Sequence, residues 1–204
     1  MNNALRSWGW RLFAVGGVLL VYLWLSPHGH EAPRRSPVQR LFGPVASLAA
    51  SLQWVRMEAA IDAGERVRAH EIARLALELD PGSTEGWSYY ARELVFQRAS
   101  PTYETDPRER TRWVRLALDL LEEGSASARE PEELHHFQGQ ILGYLIDLEG
   151  AIPWPGGERA LRLEAAEAYE RAAALGKRGA GEQAEIVRRG HSERLHLPQH
   201  EHSR

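Results

Sequence analysis

Between Ala69 and Trp87 the apolar pattern stops and restarts. Ala69, Ala73, Ala76 and Leu79 recur at steps of three or four, Asp80-Pro81-Gly82 ends the series, and Ser83 or Thr84 stands ready to cap a helix before Trp87. The stretch predicts a helix, a tight turn and a second helix. Upstream, Leu41, Val45, Leu48, Leu52, Val55 and Ile61 carry the same period, with Gly43-Pro44 suited to a first turn. Ala63-Gly64-Glu65 breaks the series before Val67 to Leu79 resumes it, so the two helices are expected to form an antiparallel pair.

The pattern repeats further along. Arg74-Leu75-Ala76-Leu77-Glu78-Leu79 returns as Arg115-Leu116-Ala117-Leu118-Asp119-Leu120, and Tyr169-Glu170-Arg171-Ala172 shares the spacing of Ala73-Arg74-Leu75-Ala76. Anchored on Ala76, Ala117 and Ala172, the intervals are 41 and 55 residues. Two polar or proline-rich stretches, 99–107 and 152–157, are where the extra length is expected to go. Three helical pairs follow, over 41–80, 84–123 and 131–175.

These residues resemble the tetratricopeptide repeat (TPR), a helix-turn-helix unit of about 34 residues. With Pro81 as the terminal proline of a unit, Gly64 falls on the turn glycine, Ala69, Ala73 and Ala76 on the small and aromatic positions, and Trp87 on the tryptophan of the next unit. Ala117 takes the equivalent place in the second unit, and Leu142-Gly143, Ala165, Tyr169 and Ala172 in the third. Trp54 stands one residue late for the tryptophan position of the first unit, and the Leu-Gly pair is missing from the first two units. The resemblance implies an all-α fold, a right-handed stack of about three hairpins over 41–178. It also implies a concave groove lined by the first helices, here Trp54, Glu58, Ile61, Ser88, Arg92, Val95 and Phe96. The competing reading makes Trp54 and Phe96 core between neighbouring helices. The Lys/Asn clamp that some TPR domains use for C-terminal carboxylates is not matched, because Trp54 and Glu58 stand there.

Ahead of this region, Trp8 to Leu25 is apolar apart from Arg11. Eighteen helical residues cover about 27 Å, enough to cross a hydrocarbon core with Arg11 snorkelling outward. Trp8 and Trp10 at one end and Tyr22 and Trp24 near the other suit the two interfaces. A transmembrane anchor over 8–25 is therefore expected after a seven-residue tail, with a cleaved secretory signal as the alternative. Residues 26–40, rich in Pro, Arg and His, read as a linker. Basic residues flank the apolar run on both sides, and the positive-inside rule leaves the orientation undecided; the N-terminal charges abut the run directly, which favours an exported domain on a bacterial inner membrane.

Charge excludes one class of partner. Residues 1–40 carry five Arg and one acidic residue, and the remainder carries 20 basic and 27 acidic residues, so the folded part is net negative and unsuited to nucleic acid. The chain has no cysteine, which removes thiol chemistry and disulfides. His191, His196, His200 and His202 share a tail, 179–204, but Pro198 interrupts them; they read as a solvated and disordered end rather than a metal site, although a short helix around Glu182 to Arg189 is compatible with the pattern. Trp154-Pro155-Gly156-Gly157-Glu158 lacks the Lys and Ser/Thr of a phosphate loop and reads as structure, with Trp154 packed under an inserted loop. No Gly-x-Ser-x-Gly, Ser-x-x-Lys or His-Glu-x-x-His is present, and neither an enzyme nor a cofactor is expected. The expectation is a single-pass, membrane-tethered TPR-like adaptor or scaffold for a protein or peptide partner. The alternatives are an accessory subunit of a membrane complex acting through Gly16-Gly17 of its apolar helix, and metal binding through the His-rich tail.

Overall fold

A computed structural model of the chain describes residues 44–147 and 152–194. The expected anchor over 8–25, the linker over 26–40 and the end of the His-rich tail, 195–204, lie outside the described residues. Among those described, no helix is long and apolar enough to cross a membrane.

The described residues are all helical, without a strand: α1 (Pro44–Asp62), α2 (Arg66–Leu79), α3 (Thr84–Arg92), α4 (Pro107–Ser125), α5 (Pro131–Asp147), α6 (Gly157–Ala174) and α7 (Ala180–Arg194). α3 runs on without a break into a π-helical segment, Glu93–Arg98. Each helix packs on the next, and α3 also packs on α5. The result is three consecutive hairpins, α1/α2, α3/α4 and α5/α6, with α7 laid against α6.

Local chemistry sets the joints. Gly64 turns the chain at φ +75°, a conformation that favours glycine, and its N–H donates to the Ile61 carbonyl at 2.9 Å. The Ser83 hydroxyl accepts from the Gly86 N–H at 3.0 Å and caps α3. Asp106 caps α4 by accepting from the Arg108 N–H at 2.9 Å, with Pro107 in the first turn. Between the two, the buried Arg110 reaches back to donate to the Ala99 carbonyl at 2.8 Å, which closes the end of the π-helical segment against the long loop.

Alanine makes the close contacts. Ala69, Ala73 and Ala76 on α2, Ala117 on α4, and Ala165, Ala168 and Ala172 on α6 are all buried, so each second helix of a hairpin presents a small face to its neighbours. Met57, Val114, Leu121, Leu134 and Ile141 fill the space that those faces leave. Leu142 and Tyr169 are buried too, and the Tyr169 ring lies so close to Gly139 that a Cβ there would stand 2.7 Å from it. Gly143 is only part-buried, with a built Cβ 3.9 Å from the Tyr169 hydroxyl.

Trp87 ties the α2–α3 turn to α4. Its indole N–H donates to the Pro81 carbonyl at 2.8 Å, and the ring faces Gly124 so closely that a built Cβ would come within 2.5 Å of it. The same end of the molecule is laced by Arg129, whose N–H donates to the Gly82 carbonyl and whose guanidinium meets Asp80 at 3.3 Å. Glu130 N–H also donates to the Thr84 hydroxyl at 3.2 Å. The bidentate pair of Arg74 with Glu123, at 2.8 and 2.9 Å, joins α2 to α4 on the outside.

Two expectations need correction. The apolar series of α1 does predict a helix, but its members Val45, Leu48, Leu52 and Val55 face outward; the buried face is Ala46, Ala50, Met57 and Ala60, with Trp54 and Ile61 part-buried. The packed helices also run past residue 178. α7 buries Ala180 and Ala184 against Ala166, Tyr169 and Ala172 of α6, and Gln183 bonds His136 of α5 at 2.8 Å. Alanine at i and i+4 gives a weak hydrophobic period, which is why this stretch reads as tail.

Candidate partner groove

α1 and α3 bound two adjoining hollows, of about 410 Å³ and about 620 Å³. Glu58 and Tyr89 belong to both and form the sill between them. The Tyr89 hydroxyl donates to Glu58 Oε1 at 2.7 Å, and the Tyr89 ring meets Trp54 edge-on, centroids 5.5 Å apart at 77°. Trp54 lines the first hollow with Ser47, Asp80 and Glu85. Ile61, Asp62, Arg66, Glu93, Arg98 and Tyr103 line the second.

The spacing along α3 explains the arrangement. Trp87, Tyr90, Ala91 and Leu94 are buried, and Tyr89, two residues or about 200° beyond Trp87, faces the other way. Glu93 and Gln97 follow Tyr89 at steps of four and extend the same wall. The π-helical segment adds a wider turn here, with the Ala99 N–H donating to the Leu94 carbonyl at 2.9 Å.

Carboxylates outnumber cations in this lining: Glu58, Asp62, Asp80, Glu85 and Glu93 against Arg66 and Arg98. Burial pushes the Glu93 carboxyl above its usual range, and Arg98 opposes the rise. Burial, and then the bond to Glu58, push the Tyr89 phenol up to about 12; burial does the same to Tyr90. Both phenols stay neutral in the fold at pH values where an unfolded tyrosine, near pH 10, has ionised. Their stabilising contribution is therefore complete below about pH 10 and is lost as pH rises through about 12. A spectrophotometric titration should show Tyr89 and Tyr90 ionising late, together with Tyr169, which burial also pushes up, with the thermal midpoint falling across that window, and Tyr89→Phe should remove one of the late steps.

Of the residues expected to line a groove, Trp54, Glu58 and Ile61 do so. Ser88, Arg92, Val95 and Phe96 are not in the lining of these two hollows. Val95 is buried core, Ser88 is part-buried, and Arg92 and Phe96 turn toward α5, with the Arg92 guanidinium 5.7 Å from the Phe137 ring centroid and Phe96 edge-on to Tyr144 at 5.2 Å. The competing assignment of Trp54 and Phe96 to core fits neither residue fully. Trp54 is part-buried and open to the groove, and Phe96 is 40% exposed. The residues that sequence reasoning missed are Tyr89, Glu93 and Tyr103. The burial of Trp87 carried the signal for Tyr89, since a residue 200° from a core position must face away from it.

Elsewhere, Trp154 is buried beneath the 152–156 loop, with its indole N–H donating to Glu164 at 3.0 Å and the Arg115 guanidinium 4.4 Å from its ring centroid. His135 and His136 bond glutamines, and among the described residues no group of three or more His, Asp or Glu could hold a metal ion. The side chain of His191 and the histidines at 196, 200 and 202 lie outside those described. No family model matches the chain, and searches of curated proteins and of solved structures found no match.

Proposed function

We propose that the chain is a membrane-tethered, TPR-like adaptor whose α1–α3 groove holds an extended, basic segment of a protein partner. The helix order and neighbour pattern support a repeat reading, since three hairpins follow one another with first helix beside first helix at α3 and α5. The observation that carries the functional part is the groove itself: two adjoining hollows lined by an edge-to-face aromatic pair and by more carboxylates than cations. Aromatic side chains supply contact area at low entropic cost, and the carboxylates complement arginine or lysine. The adaptor keeps that segment near the bilayer through the apolar run at 8–25.

The test is a binding titration of the full-length chain in detergent with a fluorescent arginine-containing peptide, against a glutamate-containing peptide of equal length. The arginine peptide should bind, should weaken as salt rises, and should bind roughly tenfold more weakly to the Glu58→Gln, Glu93→Gln double variant, the loss of about 1.4 kcal/mol expected when such charge contacts go. Equal binding of both peptides, or no change in the double variant, would remove the charge assignment.

A further inference from the structure

The first hollow is acidic and has no cation in its own lining. Ser47, Ser51, Trp54 and Glu58 follow one another along α1 at steps of four, three and four, and Glu85 lines the same hollow from the first turn of α3. Glu58, Asp80 and Glu85 are its charged members, and among the described residues no Lys or Arg joins them. Arg129 meets Asp80 at 3.3 Å, whereas neither Glu58 nor Glu85 has an ion-pair partner among the described residues. The Tyr89 hydroxyl donates to one oxygen of Glu58 and leaves its charge in place.

The chain itself supplies a matching segment. Shortly before α1 stands Pro33-Arg34-Arg35-Ser36-Pro37-Val38-Gln39-Arg40, with three arginines, two prolines and no acidic residue. It lies outside the described residues, and its length suits the groove. Arg40 stands four residues before Pro44 and reaches about 13 Å when extended, and Arg35 stands nine before it and reaches about 30 Å. Glu58, fourteen residues past Pro44, is about 21 Å along the helix. α1 opens at Pro44, so the chain is able to reverse at Gly43, where glycine takes turn conformations without steric cost. Folded back along α1, Arg40 comes within side-chain reach of Glu85, Pro37 and Val38 come level with the Trp54–Tyr89 pair, and Arg34 and Arg35 come level with Glu58 and Glu93. Proline lowers the entropy lost on docking, and aromatic walls suit extended, proline-containing chain. We propose that residues 33–40 of the chain itself occupy the α1–α3 groove and compete with the partner for it. The proposal rests on the reading of the groove as a site for basic segments and adds its regulation, since a partner must displace an arm held at millimolar effective concentration.

The lack of native cysteine makes the test direct. Full-length chain in mild detergent is prepared as Gln39→Cys with Ser51→Cys, whose second thiol lines the groove. The control is Gln39→Cys with Leu52→Cys, whose second thiol lies one residue on and about 100° round, on the exposed outer side of α1. The two pairs are almost equally spaced along the chain, so an undocked arm would close both disulfides at similar rates. Docking should make the Ser51 pair close roughly fivefold faster as an intramolecular disulfide, and Arg34→Gln, Arg35→Gln, Arg40→Gln should remove that preference. In the cysteine-free chain the same triple variant should bind the fluorescent arginine peptide about tenfold more tightly than the parent, the gain expected when a tethered competitor is removed. Equal closure of the two pairs overturns the proposal, as does a bound peptide whose affinity the triple variant leaves unchanged. A Ser51 disulfide that forms between chains also overturns it and makes a second copy the source of the arm. The groove reading fails separately: a Ser51 preference that arginine peptide does not slow keeps the arm and removes the partner. Equal closure with peptide still bound does the reverse.

Discussion

Trp87→Ala is expected to cost about 3–5 kcal/mol, the range for deleting a large buried aromatic, out of a total stability of about 5–15 kcal/mol for a domain of ordinary size. Three losses add. The ring leaves a cavity against Gly124, the Pro81 carbonyl loses its indole donor, and the turn from α2 to α3 loses the side chain that fixes its direction. The neighbouring bonds of Arg129 to Gly82 and of Glu130 to Thr84 depend on that turn staying in place. A melt followed by circular dichroism should show a midpoint lower by on the order of 10 °C, since each kcal/mol moves a domain of this size by about 2–4 °C. A shift of a degree or two would mean that the junction is held by Asp80 and its partners instead.

Gly124→Ala tests the same joint from the other side. A methyl at this position would stand 2.5 Å from the Trp87 ring, a distance that real contacts do not reach, so the indole or α4 must move. Overpacking of this kind costs about 1–3 kcal/mol, against which alanine returns about 1 kcal/mol of helix propensity. Net destabilisation is therefore expected with Trp87 present. In a Trp87→Leu background the clash is gone and Gly124→Ala should become neutral or stabilising, a coupling of about 2 kcal/mol in a double-mutant cycle read by thermal or denaturant unfolding. Additive effects would show that the ring and the glycine do not meet.

The fold was more legible in the sequence than the groove was, and particular residues show why. The joint from Ala76 to Trp87 was readable because Asp80-Pro81-Gly82 and Ser83 are local signals whose effect does not depend on distant packing. α1 misled because hydrophobic period reports that a helix has an apolar side, not which side the fold covers. Its covered side is mostly alanine, and its aliphatic side is open. α7 was under-read for a related reason: Ala180 and Ala184 pack as closely as leucines would but carry little hydrophobic signal. In the groove, reading α3 from the family position of Trp87 picked Ser88, Arg92, Val95 and Phe96, whereas the wall is Tyr89, Glu93 and Gln97. One residue along a helix is a rotation of 100°, enough to exchange the wall of these two hollows for a core position or for the α5 side.

The α1–α3 groove is proposed as the place where this chain meets its partner. Photo-cross-linking in native membranes tests it most directly, with a photoreactive residue placed at Tyr89 on the sill of the groove and, separately, at Leu163 on the exposed side of α6. The prediction is a discrete adduct from position 89 that is absent from position 163 and is competed by arginine-containing peptide. Adducts that are the same from both positions, or none from position 89 while the chain is folded and in the membrane, would contradict it.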